Sequence, residues 1–398
     1  MNYLLSETAQ NSKVSAVREI LKLTQGSSVI SFAGGLPAEE FFPIEALDAA
    51  FERVFEQGKK SLQYGLTEGY TPLREQISVR MSKKGIHADP SDMLLTTGSQ
   101  QAIDLLARVY LEPGDVVLVE NPTYLAALQV FHYYRVQVVS IRSDRFGMDL
   151  DDLSRKIDEY NPKMVYVTPT FSNPTGKVWS KERRKGLLEI GHDRNVLILE
   201  DDPYGELQFR DDVSYPTIFS MDQHPNGAVL YTSTFSKTVV PALRTGWVVG
   251  DPTIIQAMTR AKQAADLHSS SLDQQALYQL MTHFDLDAHI QEIRSQYRQR
   301  MELMSQLLHR QPWTDIRWNE PEGGMFLWME LPSDWNAETL LQHAVKEGVA
   351  FVPGTEFYVG TPQSNTLRLN FTHTSPENMA IGMERLARAV NSFHLAHV

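Results

Sequence analysis

Short runs of adjacent apolar residues recur through the middle of the chain, each about a strand long and most followed by a helical stretch. They are Met93–Thr97, Val116–Glu120, Val136–Ile141, Met164–Thr168, Val196–Glu200, Val229–Ser233 and Trp247–Gly250. Near-continuous apolar runs of this length suit strands covered on both faces, the situation in a mostly parallel sheet. Gln100–Leu111 and Lys181–Arg194, lying between such runs, read as helices, and the alternation predicts an α/β layered unit. Further on, Ile290, Ile293, Tyr297, Met301, Met304 and Leu308 fall three or four apart, which predicts a long amphipathic helix. Beyond it, Gly323–Trp328 and Thr366–Phe371 read as strands of a smaller α+β unit, with a boundary near residue 285. A chain of 398 residues exceeds what one hydrophobic core usually organises, so two units fit its length.

Composition narrows the chemistry. There is no cysteine, which removes disulfides, thiolate zinc sites, iron–sulfur clusters and a cysteine nucleophile. The formal net charge of −12 argues against nonspecific binding to nucleic acid or an anionic membrane. The N-terminal MNYLLSETAQ has no basic leader, and every apolar run is far too short to span a bilayer, so a soluble cytoplasmic protein is expected. Neither common nucleotide fingerprint, no zinc-protease helix and no serine nucleophile elbow is present, and no metal is expected.

What remains is a set of polar residues just past strand ends, where open α/β sheets place ligands. Val229–Ser233 runs into Thr234, Phe235, Ser236 and Lys237, with Arg244 soon after. Hydroxyls and an arginine could hold a phosphate, and a lysine beside them could form a Schiff base. Alone, that loop would pass for an exposed basic turn. Val196–Glu200 delivers Asp201, Asp202, Pro203 and Tyr204, and a carboxylate at a buried strand end needs a cationic partner or an N-cap role. Asn173 sits in an Asn-Pro turn after Met164–Thr168, Gly98-Ser99-Gln100 opens a helix, and Tyr124 offers an aromatic face. Five such signals at one sheet edge are hard to explain by turns alone.

The residues resemble the fold type I pyridoxal-phosphate aminotransferases. The likeness is greatest to the branch that contains bacterial 2-aminoadipate aminotransferase and mammalian kynurenine/2-aminoadipate aminotransferase. The matching stretches are SFAGGLP (31–37), LQYGLTEGYTPLRE (62–75), TTGSQQAIDLL (96–106), SNPTG (172–176), EDDPYGEL (200–207), TFSKTVVPALRTGW (234–247), GGMFLWMELP (323–332), FVPGTEFY (351–358) and LRLNF (367–371). The resemblance implies an α/β fold: a large domain with a mostly parallel seven-stranded sheet between helices, plus a smaller α+β domain. It divides the chain into an N-terminal segment, 1–45, packing with the small domain, a large pyridoxal-phosphate domain, 46–285, and a small domain, 286–398.

It also implies roles. Lys237 would be joined to the cofactor and act as general acid and base; Asp201 would pair with the ring nitrogen; Asn173 and Tyr204 would bond the ring oxygen. Tyr124 would stack on the ring. Ser99, Gln100, Thr234, Ser236 and Arg244 would hold the phosphate, with Tyr64 reaching it from a second subunit of a homodimer. Arg368 would clamp the substrate α-carboxylate with help from Asn173 and the Gly35 backbone. Arg18, on a helix expected over Val14–Leu23, matches the position that meets a distal carboxylate. The implied reaction is transamination of an L-amino acid (2-aminoadipate or glutamate, leucine-like or aromatic) with a 2-oxo acid such as 2-oxoglutarate. The alternative is a lyase or decarboxylase on the same scaffold. A regulator's effector domain is disfavoured, since the motifs begin near Ser31 and leave no room for a winged helix. One departure is the loop Thr238-Val239-Val240-Pro241, more apolar than the branch's Ser/Gly-containing version.

Overall fold

The computed structural model describes residues 3–11, 19–20, 22, 28–224 and 227–397. Arg18 and most of the helix expected over Val14–Leu23 lie outside the described residues.

The seven apolar runs form one sheet. In chain order its strands are β1 (Met93–Thr96), β2 (Val116–Glu120), β3 (Gln137–Ile141), β4 (Met164–Val167), β5 (Leu197–Asp201), β6 (Val229–Thr234) and β7 (Gly246–Val249). Their spatial order is β1-β7-β6-β5-β4-β2-β3. All neighbours are parallel except β7, which runs antiparallel to both β1 and β6. Both faces are covered, and the strand period of two sorts side chains between them. Leu94, Val117, Tyr166, Leu199 and Val248 pack under the helix α1 (Ser99–Tyr110) and beside α2 (Leu125–Tyr133). Their strand neighbours face the other way: Leu118, Val165 and Ile198 toward α3 (Lys181–Arg194), Met93, Tyr231 and Trp247 toward a third apolar cluster.

The long periodic stretch is α4 (Leu286–His309), with Ile290, Ile293, Tyr297, Met304 and Leu308 buried. It leads to a second, four-stranded antiparallel sheet. Its strands are β8 (Arg317–Trp318), β9 (Phe326–Glu330), β10 (Val352–Pro353) and β11 (Thr366–Asn370), in the order β8-β9-β11-β10. The strand expected over Gly323–Trp328 begins three residues later than its first glycine. Gly323 and Gly324 press against Phe171 instead, so close that a Cβ on either would fall within 2.7 Å of that side chain, and Gly324 has φ +75°. From the N-terminal side, Ile30–Ser31 pairs in parallel with Val349–Ala350, and Phe32 is buried in the core beneath the second sheet.

Candidate active site

The C-terminal ends of β4, β5 and β6 open into a cavity of about 290 Å³. Lys237 stands in its wall on the short turn after β6, its Nζ donating to the Gly35 carbonyl at 2.8 Å. Burial, together with the cations Arg244 and Arg368, lowers its pKa to about 8. The valines of the following loop are buried beside Phe235, Leu243 and Trp247, so the apolar departure seen in the sequence fills core beneath the lysine turn.

Ser99, Gln100, Thr234, Ser236 and Arg244 all line one end of the cavity. Thr234 Oγ1 caps the lysine turn by accepting from the Ser236 amide at 3.1 Å, and the two hydroxyls lie 2.9 Å apart. Arg244, held in the left-handed region at φ +46°, points Nη1 to Ser236 Oγ at 3.3 Å and Nη2 to the Thr97 carbonyl at 3.3 Å. Gly98 caps α1 at φ +75°, and a Cβ there would lie 2.7 Å from Arg244 Nη2. A helix N-terminus, three hydroxyls and a guanidinium converging in this way form an anion cup.

Asp201, the last residue of β5, is buried, and the Tyr166 hydroxyl donates to its Oδ2 at 2.8 Å. Burial pushes its pKa up to about 7, with the Tyr166 hydrogen bond opposing. The Ser99 hydroxyl also eases that shift, yet Asp201 Oδ1 and Ser99 Oγ are both buried and complete no hydrogen bond. Tyr124 and Tyr204 form further walls, and burial raises both phenols, Tyr124 to about 12.

Arg368 reaches the cavity from β11. Its Nη1 donates to Asn173 Oδ1 at 2.6 Å and its Nη2 to the Ala33 carbonyl at 2.7 Å. The guanidinium lies over the Phe326 ring at 4.2 Å, faces Phe357 at 5.2 Å, and is held by burial at a pKa of about 10. Asn173 and Gly35 line the same cavity. Tyr64 does not: it is exposed, with its ring edge-on to His268 at 5.8 Å. Wall residues that went unnamed in the sequence are Leu125, Ala126 and Gln129 on α2, and Phe357. The helix spacing that follows Tyr124 carries the first three, and the FVPGTEFY stretch carries the last.

A lysine of depressed pKa, an anion cup and a buried carboxylate with one idle oxygen, set at the edge of this mixed seven-stranded sheet, define a pyridoxal-phosphate-dependent enzyme of fold type I. The chain belongs to the aminotransferase class I and II family, whose sequence model it matches over residues 28–386. It is 41% identical to aromatic-amino-acid aminotransferase 1 of Thermococcus litoralis, over 97% of this chain and 93% of that one. The α-aminoadipate aminotransferase of Thermus thermophilus, solved with N-(5'-phosphopyridoxyl)-L-leucine, superposes with a TM-score of 0.92 at 37% identity, covering 99% of this chain and 98% of that one. The kynurenine aminotransferase of Pyrococcus horikoshii gives 0.93 at 40% identity, covering 98% and 97%. The protein is an aminotransferase, and its cofactor is pyridoxal phosphate. The residues present fit that group: a dianion cup, an unsatisfied carboxylate oxygen for a ring N–H, and a lysine amine all line one cavity.

Among the described residues no helix is long and apolar enough to cross a membrane, and no cluster of His, Asp and Glu is arranged to hold a metal.

Proposed function

We propose that this aminotransferase moves the α-amino group of a broad set of L-amino acids, both dicarboxylic (2-aminoadipate, glutamate) and leucine-like or aromatic, to 2-oxoglutarate or a similar 2-oxo acid. The observation that carries it is the mixed lining of the cavity. Arg368 lies against Phe357 at 5.2 Å, and the apolar Leu125 and Ala126 line the same cavity, so a carboxylate anchor shares it with a surface suited to varied side chains. The relatives support breadth, since their names span aromatic amino acids, α-aminoadipate and kynurenine, and one was solved with a phosphopyridoxyl-leucine adduct.

Pyridoxal phosphate, when bound, supplies an electron sink for negative charge developing at the substrate α-carbon. The chain's residues do the rest. Ser99, Gln100, Thr234, Ser236 and Arg244 would hold the phosphate; Asp201 Oδ1 would accept a hydrogen bond from the protonated ring nitrogen and so keep the proton on the ring; Asn173 and Tyr204 would bond the ring oxygen; Tyr124 would stack on the ring face. Arg368 fixes the α-carboxylate, aided by Asn173 and Gly35, and Lys237 Nζ takes up and returns the α-proton. A neutral amine is needed for that, and lowering the lysine to about 8 makes its neutral fraction near neutral pH far larger than that of a free lysine. Arg18 would read a distal carboxylate.

The same reading makes the enzyme a cytoplasmic homodimer in which a second copy lends Tyr64 to the phosphate; the exposed Leu62, Tyr64 and Leu66 support a covered face there. It divides the chain at 45 and 285, supported by the two separate sheets. The test is Lys237→Ala. The purified variant should lose steady-state transamination, and retained turnover would overturn the assignment.

A further inference from the structure

The sheet end that carries Asp201 carries three consecutive buried carboxylates, Glu200, Asp201 and Asp202. Strand alternation sends Asp201 to the cavity face and its two neighbours to the opposite face. Each aspartate is met by a tyrosine from a flanking strand, and the register explains both meetings. On β4, Tyr166 pairs with Leu199, two residues before Asp201, so its side chain shares the face of Asp201 and reaches it diagonally. On β6, Tyr231 pairs with Glu200, two residues before Asp202, and its hydroxyl donates to Asp202 Oδ2 at 3.0 Å. Tyr166 itself is fully buried, its ring edge-on to Phe131 at 5.8 Å, and it is not part of the cavity wall.

We propose that Tyr166 is a positioning residue that locks the Asp201 carboxylate in one orientation, Oδ2 on its own hydroxyl and Oδ1 left for the ring nitrogen of the cofactor. The proposal rests on the reading that Asp201 meets that nitrogen. A carboxylate with both oxygens idle could rotate, and a neutral one could not hold a ring proton. The phenol prevents both, because a donor on Oδ2 fixes the plane and favours the ionised form. The groups around Asp201 are Asp202 just past the strand end, Tyr166 from β4, Ser99 at the start of α1, and Tyr124 and Tyr204 across the cavity, with Lys237, Arg244 and Arg368 also lining it. Among them Tyr166 is the only one that completes a hydrogen bond to the carboxylate.

Tyr166→Phe removes one oxygen and keeps the ring against Phe131. The dissociation constant for pyridoxal phosphate should rise about tenfold or more, and the acidic limb of kcat/KM should move up by about one pH unit, since the carboxylate then ionises only at higher pH. Tyr231→Phe removes the matching hydroxyl from Asp202 and should leave the cofactor affinity and the acidic limb where they were. In an Asp201→Asn background, Tyr166→Phe should change cofactor affinity no further, because its effect passes through the carboxylate. If Asp201→Asn weakens the cofactor and Tyr166→Phe leaves both readouts at wild type, the role of Tyr166 is overturned while that of Asp201 stands. If Asp201→Asn itself binds the cofactor normally, the underlying reading fails.

Discussion

The amine of Lys237 hydrogen-bonds the carbonyl oxygen of Gly35 at 2.8 Å, joining residues 202 positions apart. The contact places the reactive nitrogen at the seam between the N-terminal segment and the seven-stranded sheet. Only its neutral form can attack the cofactor aldehyde. Because burial and two arginines lower its pKa to about 8, the neutral fraction grows as pH rises through that value, well below the pH at which a free lysine deprotonates. The rate at which apoprotein takes up pyridoxal phosphate, followed by absorbance, should therefore rise between pH 7 and 9 and level off above.

Arg368 donates from two guanidinium nitrogens to Asn173 and the Ala33 carbonyl while lying over Phe326, a geometry that a lysine cannot reproduce. Arg368→Lys should raise KM for both amino acid and oxo acid by about tenfold or more. Cofactor affinity, measured by equilibrium dialysis, should stay within about twofold, since Arg368 lies at the substrate end.

Gly246 is a tight joint beneath the anion cup, crowded by backbone. A Cβ there would lie 2.8 Å from the Gly98 carbonyl carbon and the Ser233 oxygen and 2.9 Å from the Ser99 nitrogen. All three are backbone atoms that cannot swing aside. Gly246→Ala should lower the stability of the apoprotein by about 1–3 kcal/mol in a denaturant titration. It should weaken cofactor binding as well, because the displaced atoms open α1.

Arg184 is buried and donates to the Pro169, Trp179 and Pro216 carbonyls and to Thr170, clamping the segment that bears Asn173. Its Nη1 lies 3.9 Å from Glu200, whose pKa burial raises to about 7. Arg184→Met strands the carboxylate and the carbonyls, and should cost about 3–5 kcal/mol. The sign with pH follows from proton uptake. Folded Glu200 keeps its proton above 4.5, where the unfolded chain has released it, so its contribution falls as pH rises from about 4.5 to 7. Without the arginine that window extends upward, and the variant should be relatively worse at pH 8 than at pH 6.

The central sheet was legible because burial on both faces forces apolar runs, and the seven strands fall within a residue or so of those runs. The cup was legible as a cluster, since Ser99, Thr234, Ser236 and Arg244 fall near strand ends, whereas Arg368 enters only through the family resemblance. What stayed hidden depends on register or on spacing across the chain. Nothing in the sequence marks Tyr166 as the partner of Asp201, because that meeting follows from the β4–β5 alignment. The antiparallel course of β7 is likewise set by packing between β1 and β6, and the Gly323-Gly324 pair looks like strand until Phe171 is seen against it. Arg184, read locally, is one more basic residue on a charged helix.

Most of the cavity's lining comes from one stretch of the chain, Gly98 to Arg244, whereas Gly35, Phe357 and Arg368 come from well outside it. A ribosome building this protein completes every residue of the phosphate cup before the clamp is translated. On the proposed reading, the residues assigned to the phosphate precede the carboxylate clamp in the order of synthesis, and the cavity is complete only once the last strand of the second sheet, which bears Arg368, has been made.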